Sequence, residues 1–281
     1  MRDVAAAVLK DKIRELFLQA NYHIGKDVLD RLAACAETEA SPIGANILGQ
    51  IVENDRIASE ERIAICQDTG MAILFVELGQ EVHVVGGDFE EALQAGVREA
   101  YTTGYLRKSI VADPLFDRVN TKDNTPAVIH VSIVPGDRVR ILATPKGFGS
   151  ENMSAVAMLT PAAGVKGVKD FVVETVVKAG PNPCPPIIIG IGIGGTLEKA
   201  ALIAKKATIR ELGAANPDPR YARLEEELLA LVNATGVGPG GLGGTTTAIA
   251  VHIEHFPTHI AGMPVAVNIC CHAARHAEAL I

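Results

Sequence analysis

The stretch VNICCHAARH, residues 267–276, sets Cys270 and Cys271 side by side and follows them with His272, Arg275 and His276. Adjacent cysteines can be small apolar fillers, a redox pair, or one metal ligand beside a bystander. Two further stretches join a thiol to polar or rigid neighbours. AICQDTGMA places Cys66 ahead of Gln67, Asp68, Thr69 and Gly70, and AGPNPCPPII fixes Cys184 between prolines. Each thiol falls at the edge of a predicted element, where loops carry function and a cofactor can be reached. With Cys35 there are five cysteines, an odd number with no CxxC pair, so neither a disulfide framework nor a zinc ribbon is indicated. Burial as core filler is the ordinary fate of such residues.

Other motifs compete for attention. GIGIGG matches a dinucleotide fingerprint at Gly190, Gly192 and Gly195, between a predicted strand and a helix. It lies two-thirds along the chain, and the acidic residue about twenty positions on is Glu211, inside a helical run rather than ending a second strand. GVGPGGLGG, residues 236–244, lacks the Lys-Ser/Thr of a phosphate-binding loop and reads as a glycine loop close to another backbone or a ligand. His252, His255 and His259 have helical ligand spacing, but the alternating β-branched run around them and Pro257 keep them off one helical face.

The elements that must position these groups are read from periodicity. Helices are predicted for the first sixty residues, with Val4, Val8, Ile13 and Leu16 opening one, and Ser41 as N-cap with Pro42 at N1 opening another. MAILFVEL and EVHVVG read as paired strands across a short Gly-Gln turn, and AVIHVSIVPGDRVRILATP as a hairpin. DFEEALQAGVREAYTTGY, SENMSAVAML, VKDFVVETVVKAG closed by Gly180, TLEKAALIAKKATIREL, and DPRYARLEEELLALVNATG capped by Asp218 read as helices. PPIIIGIGIGG, TTTAIAVHI and MPVAVNICC read as strands. Tight strand pairs mixed with segregated helices predict an α+β fold: a helical bundle with small, mostly antiparallel sheets in a single domain, 1–281, with room for two lobes.

Composition narrows the function classes. Aromatics are 4% with no Trp, so the core is aliphatic, and a net charge of −7 without a basic stripe argues against nucleic acid. The first twenty residues lack an apolar h-region and the longest apolar run is about half a bilayer span, which predicts a soluble, cytoplasmic chain with reduced thiols.

Five stretches carry a family resemblance: CQDTGMAILFVELGQ, YLRKSIVADPLFDRVNTKDNTPAVIH, PKGFGSENMSAVAML, GPNPCPPIIIGIGIGGTLEKAALIAKKA and THIAGMPVAVNICCHAARH. They resemble the iron–sulfur-dependent (class I) fumarate hydratase and L-tartrate dehydratase family, and within it the α subunit of two-subunit members. The resemblance covers nearly the whole chain. It implies a [4Fe–4S] cluster held by Cys66, Cys184 and Cys271, with the fourth iron open to a small dicarboxylate substrate. Strand alternation places Cys270 and Cys271 on opposite faces; the family pattern alone selects Cys271, in phase with Val265, Val267 and Ile269.

The same resemblance implies roles for neighbours. Asp68 takes part in proton transfer or hydrogen bonding, Gln67 lines the pocket, Arg107 clamps a carboxylate, and Gly149 offers a backbone N–H, assisted by Lys146. His259 is a substrate contact. A Thr, a Lys and further Arg residues of the family lie in a β subunit outside these 281 residues, so an α2β2-type assembly and an inactive isolated chain are expected. The expected reaction is the reversible hydration of fumarate to (S)-malate, with dehydration of L(+)-tartrate to oxaloacetate as the alternative. An NAD-binding oxidoreductase using Gly190, Gly192 and Gly195, and a non-catalytic assembly subunit, are the readings of other classes.

Overall fold

Capping residues decide where the helices begin. Ser41 Oγ accepts the Gly44 amide at 3.2 Å, with Pro42 opening the helix behind it. Asp88 accepts the Glu91 amide at 2.8 Å and Asp218 the Arg220 amide at 2.9 Å, each at the head of a helix. The computed structural model describes residues 1–281. Its first elements are β1 (Arg2–Ala5), α1 (Ala6–Tyr22), α2 (Lys26–Thr38), α3 (Pro42–Glu61), β2 (Met71–Gly79), β3 (Val82–Val85) and α4 (Phe89–Thr103). Then come β4 (Val128–Val134), β5 (Val139–Lys146), α5 (Phe148–Glu151), β6 (Ala155–Leu159) and α6 (Gly164–Ala179). The chain continues with β7 (Ile187–Gly194), α7 (Leu197–Ala207), α8 (Pro219–Asn233), β8 (Ala248–Phe256), β9 (Met263–Cys270) and β10 (Ala277–Leu280). The class is α+β, as predicted, with mixed sheets: β1–β3, β2–β4 and β7–β8 are parallel and the other four pairings antiparallel. No helix is long and apolar enough to cross a membrane.

The chain divides into two units. Met1–Ile24, Asp55–Phe148 and Arg275–Ile281 form the first; Gly25–Asn54 and Gly149–Ala274 form the second. In the first unit a sheet of order β10-β5-β2-β4 backs onto α1 and α4. Leu9, Ile13, Leu16 and Phe17 of α1 meet Leu93, Val97 and Tyr101 of α4 and Leu74, Val76 and Ile141 of the sheet. Two expectations for α1 change here. Val4 belongs to β1, and Val8 is 47% exposed, so the buried stripe runs through Leu9 and Phe17 instead.

The strand pairings also differ from the sequence reading. β2 and β3 are not partners: β3 pairs with β1, and β2 lies between β4 and β5. β4 and β5 therefore form no hairpin, although a short turn joins them. The reason is visible at Gly79, the last residue of β2, where a β carbon would stand 2.4 Å from Gly136 O and 2.8 Å from Arg138 O. Absence of a side chain lets the 135–138 connection pass across the end of β2. SENMSAVAML is a single helical turn, α5, followed by strand β6, so its helical reading is corrected as well; the run is too short to tell the two periods apart. TLEKAALIAKKATIREL is helical only to Ala207.

In the second unit the sheet order is β6-β9-β7-β8. Ile187, Ile189 and Ile191 of β7 face α6 and α8, where Val172, Val176, Leu228 and Val232 complete an aliphatic layer. Gly190 and Gly192 turn to the other face, against α7. A β carbon on Gly190 would stand 2.1 Å from Ala204 O, and one on Gly192 2.0 Å from Ala200 O. The inner glycines of the fingerprint are thus sealed beneath a helix. Their job is close strand–helix packing.

Glu39 ties the end of α2 to the start of α3 and to the glycine loop. Its Oε1 accepts the amides of Ser41 (2.9 Å) and Thr245 (2.8 Å), and its Oε2 that of Thr246 (2.8 Å). Burial alone raises this carboxyl, but the Ser41 and Thr245 amides and further bonds from both threonines outweigh it and hold the group at about 2. A depressed carboxylate stabilises the fold above its unfolded value near 4.5 and loses that contribution as pH falls toward 2. Glu39→Gln is expected to cost about 1–2 kcal/mol at pH 6, after discounting for solvent screening. The difference from wild type should shrink as pH falls below about 4.5 and be lost only below the folded value of about 2. Urea titrations of both proteins across that range check it, and a pH-independent difference would refute it.

Candidate active site

The first unit builds its part of the site on the turn that leads into β2. Asp68 Oδ1 accepts the Gly70 amide at 3.0 Å and Oδ2 the Phe148 amide at 2.8 Å, so the carboxylate spans its own turn and the end of β5. Thr69 Oγ1 donates to Arg107 O at 3.1 Å, bringing the Arg107 segment to the same turn. From the core side, Tyr101 Oη reaches Thr69 O at 2.7 Å and Gly70 O at 3.1 Å, and Asn124 Nδ2 donates to Gly70 O at 3.1 Å. Burial pushes the Tyr101 phenol above its ordinary value, so it remains a neutral donor. Cys66 is half-buried with Sγ 3.4 Å from Gln67 Oε1, while the Gln67 and Arg107 side chains are exposed. Lys146 is buried at the end of β5, opposite Met71, with Nζ donating to Gly147 O at 3.3 Å.

The second unit gathers its candidates at one end of its sheet. Cys184 enters β7 through the cis Pro185–Pro186 pair and holds φ 53, left-handed backbone that costs a non-glycine residue about 1–2 kcal/mol. Cys271 stands one residue past the end of β9. β7 and β9 are antiparallel neighbours with Ile188 opposite Cys270, so the start of β7 and the end of β9 bring both thiols to the same end of the sheet. Gly149 joins them: a β carbon on it would find Asn182 O at 3.7 Å, in the loop that carries Cys184. Glu151 and Ser154 hold this corner to β9 through Asn268 Nδ2 (3.0 Å) and the Ile269 amide (3.1 Å). His259 is placed elsewhere. It sits exposed in the β8–β9 connection, with Nδ1 accepting the Ala261 amide at 3.2 Å, at the opposite end of the strands. That is roughly 25 Å from the thiols at about 3.3 Å per strand residue.

The five cysteines, all thiols, fall into two groups. Cys35 and Cys270 are core residues, each 8% exposed, whereas Cys66 and Cys271 are half-buried and Cys184 is exposed. In neither unit do three His, Cys, Asp or Glu side chains stand together at metal-holding range. The first unit offers one accessible thiol beside a fixed carboxylate, and the second offers two at one end of its sheet.

The family model described as fumarate hydratase (Fumerase) matches residues 10–280. The chain belongs to the fumarate hydratase (Fumerase) family. Its relatives include a putative L(+)-tartrate dehydratase subunit alpha from Methanocaldococcus jannaschii, 40% identical over 274 residues, covering 96% of each chain. The L(+)-tartrate dehydratase subunit alpha of Escherichia coli K12 is 34% identical over 259 residues, covering 91% of this chain and 84% of that one. The corresponding subunit of Shigella boydii shows the same identity and coverage. In this fumarate hydratase family chain the groups that fix the Asp68 turn, Tyr101 and Asn124, went unread in the sequence. A tyrosine near the end of a predicted helix and an asparagine in a loop carry no pattern. Only the fold shows that both donate to the Gly70 carbonyl.

Proposed function

We propose that this chain is the α subunit of a [4Fe–4S]-dependent hydro-lyase that dehydrates L(+)-tartrate to oxaloacetate. The observation that carries the reading is the division of the cysteines: three accessible thiols at element edges, two of them sharing one sheet end, and two sealed in the core. Soft thiolates on accessible loops suit an iron–sulfur cluster, so the donor set fits. Cys66, Cys184 and Cys271 would hold it. When bound, such a cluster with one iron lacking a thiolate supplies a Lewis acid for the departing hydroxyl.

The chain's own residues supply several of the remaining groups. Asp68, with each oxygen fixed by an amide, is placed for proton transfer at the carbon that loses hydrogen. The exposed Arg107 guanidinium clamps a substrate carboxylate, with Gln67 beside it and the Gly149 amide at the second unit's thiol corner. His259, exposed in the β8–β9 connection, remains the proposed further substrate contact. L(+)-tartrate is supported by the names of relatives that span most of the chain. Hydration of fumarate to (S)-malate is the second reading, favoured by the family description. Those relatives are alpha subunits, which supports a β subunit that completes the site and a chain that is nearly inactive alone, in the reducing cytoplasm.

The test is anaerobic co-expression with the β partner and assay on L(+)-tartrate, (S)-malate and fumarate. Oxaloacetate formed from tartrate by the complex, but not by the α chain alone, is the expected result. A complex active only on malate and fumarate would move the assignment to the second reading. Full activity from the α chain alone would remove the requirement for a partner.

A further inference from the structure

We infer that Arg275 is a positioning residue whose buried guanidinium is the counter-charge behind Asp68 and holds its carboxylate in the Cys66–Gly70 turn. Its relevance to turnover rests on the hydro-lyase reading, but the anchoring itself does not.

Arg275 is 2% exposed. A cation withdrawn from water to that degree is costly unless an anion or several oriented dipoles receive it. The contacts of its side chain do not meet that need. Nη1 donates to Asn21 Oδ1 at 3.2 Å, a neutral partner, and Nε has none. Asn21, itself buried, gives its Nδ2 to Phe17 O at 2.9 Å, which leaves its oxygen aimed at the guanidinium. Thr144 Oγ1 donates to Arg275 O at 2.8 Å, and β10 begins two residues later, so the backbone is anchored. The group is held in place and lacks a charged partner in direct contact.

Gly147 shows where that charge is. A β carbon built on it would stand 3.2 Å from Asp68 Oδ2 and 3.5 Å from Arg275 Nη2. Carboxylate and guanidinium thus border one small space, kept open by the absence of a side chain. Tyr101, raised chiefly by burial, feels the two charges with opposite signs and bonds the carbonyls of the same turn. Without Arg275 the carboxylate would rely on two amides alone, from Gly70 and Phe148.

Hydrogen exchange in the cluster-free chain tests this at the two amides that Asp68 receives. Arg275→Met should speed exchange at Gly70 and Phe148 by about 10-fold or more, with the amides of β2 and β5 beyond the turn unchanged, and Arg275→Lys should restore most of the protection. Gly147→Ala, which keeps the arginine and wedges a methyl group into the shared space, should loosen the same two amides and serves if Arg275→Met does not fold. In the loaded complex Arg275→Met should lower kcat by about 10–100-fold with KM within about two-fold, the scale of losing a supporting partner. Wild-type exchange at Gly70 and Phe148 in either Arg275→Met or Gly147→Ala overturns the inference. So does a loss of protection throughout the first unit in both Met and Lys variants, which would make Arg275 a fold residue only. Local loosening in the Arg275→Met chain, together with a wild-type complex that turns over none of the three substrates, would sink the hydro-lyase reading and leave the anchoring intact.

Discussion

Gly192→Ala is expected to destabilise the second unit by at least about 3 kcal/mol, at the upper end of what overpacking costs. The β carbon would arrive 2.0 Å from Ala200 O and 2.8 Å from Ala204 N, backbone atoms of α7 that cannot rotate away. The helix would have to lift off the sheet, giving up the contact of Ala200 and Ala204 with Ala266. A chain of this size should then melt about 6–12 °C lower. Gly262→Ala is the control, because a β carbon there meets nothing within 4 Å. Calorimetry on both variants decides the matter, and a wild-type midpoint for Gly192→Ala would refute the packing account of GIGIGG. The same result would reopen the nucleotide reading of that motif, so the experiment discriminates two functions as well as two packings.

Cys271→Ser should abolish iron and acid-labile sulfide in the anaerobically reconstituted chain, whereas Cys270→Ala should retain both. Neighbours in sequence, the two thiols have opposite environments: Cys270 closes β9 in the core, opposite Ile188, and Cys271 lies just outside the strand and half-buried. Activity of the complex should fall by at least about 10³-fold for Cys271→Ser, the scale of removing a principal catalytic group. Iron analysis is the primary measurement, since it reads the ligand directly. Retention of iron by Cys271→Ser, or its loss from Cys270→Ala, would reverse the assignment.

Local chemistry was legible in the sequence and long-range pairing was not. Ser41 and Asp218 announced helix starts because a cap is satisfied by residues two or three positions away. β2, β4 and β5 were each recognised as strands, the last two by their alternation. Their order was hidden, because nothing local to Gly79 or Gly136 says that a third strand will slip between two joined by a tight turn. The candidate site shows the same division. Alternation separated Cys270 from Cys271, but only the family resemblance chose a ligand between them. Tyr101, Asn124 and Asn21 meet the Asp68 turn and Arg275 from distant segments, so no spacing could have nominated them.

The last strand has a consequence for how the chain is made. β10 pairs with β5, and Ile281 exchanges both backbone hydrogen bonds with Val139, at 2.8 and 3.0 Å. Both ends of the chain therefore belong to the first unit, and most of the second unit is synthesised between β5 and its partner. During vectorial synthesis the β5 edge stays open until residue 280 leaves the ribosome. The 149–274 segment can already be packing by then. The first unit is interrupted along the chain by most of the second, and until β10 arrives the uncovered β5 edge is open to wrong pairing.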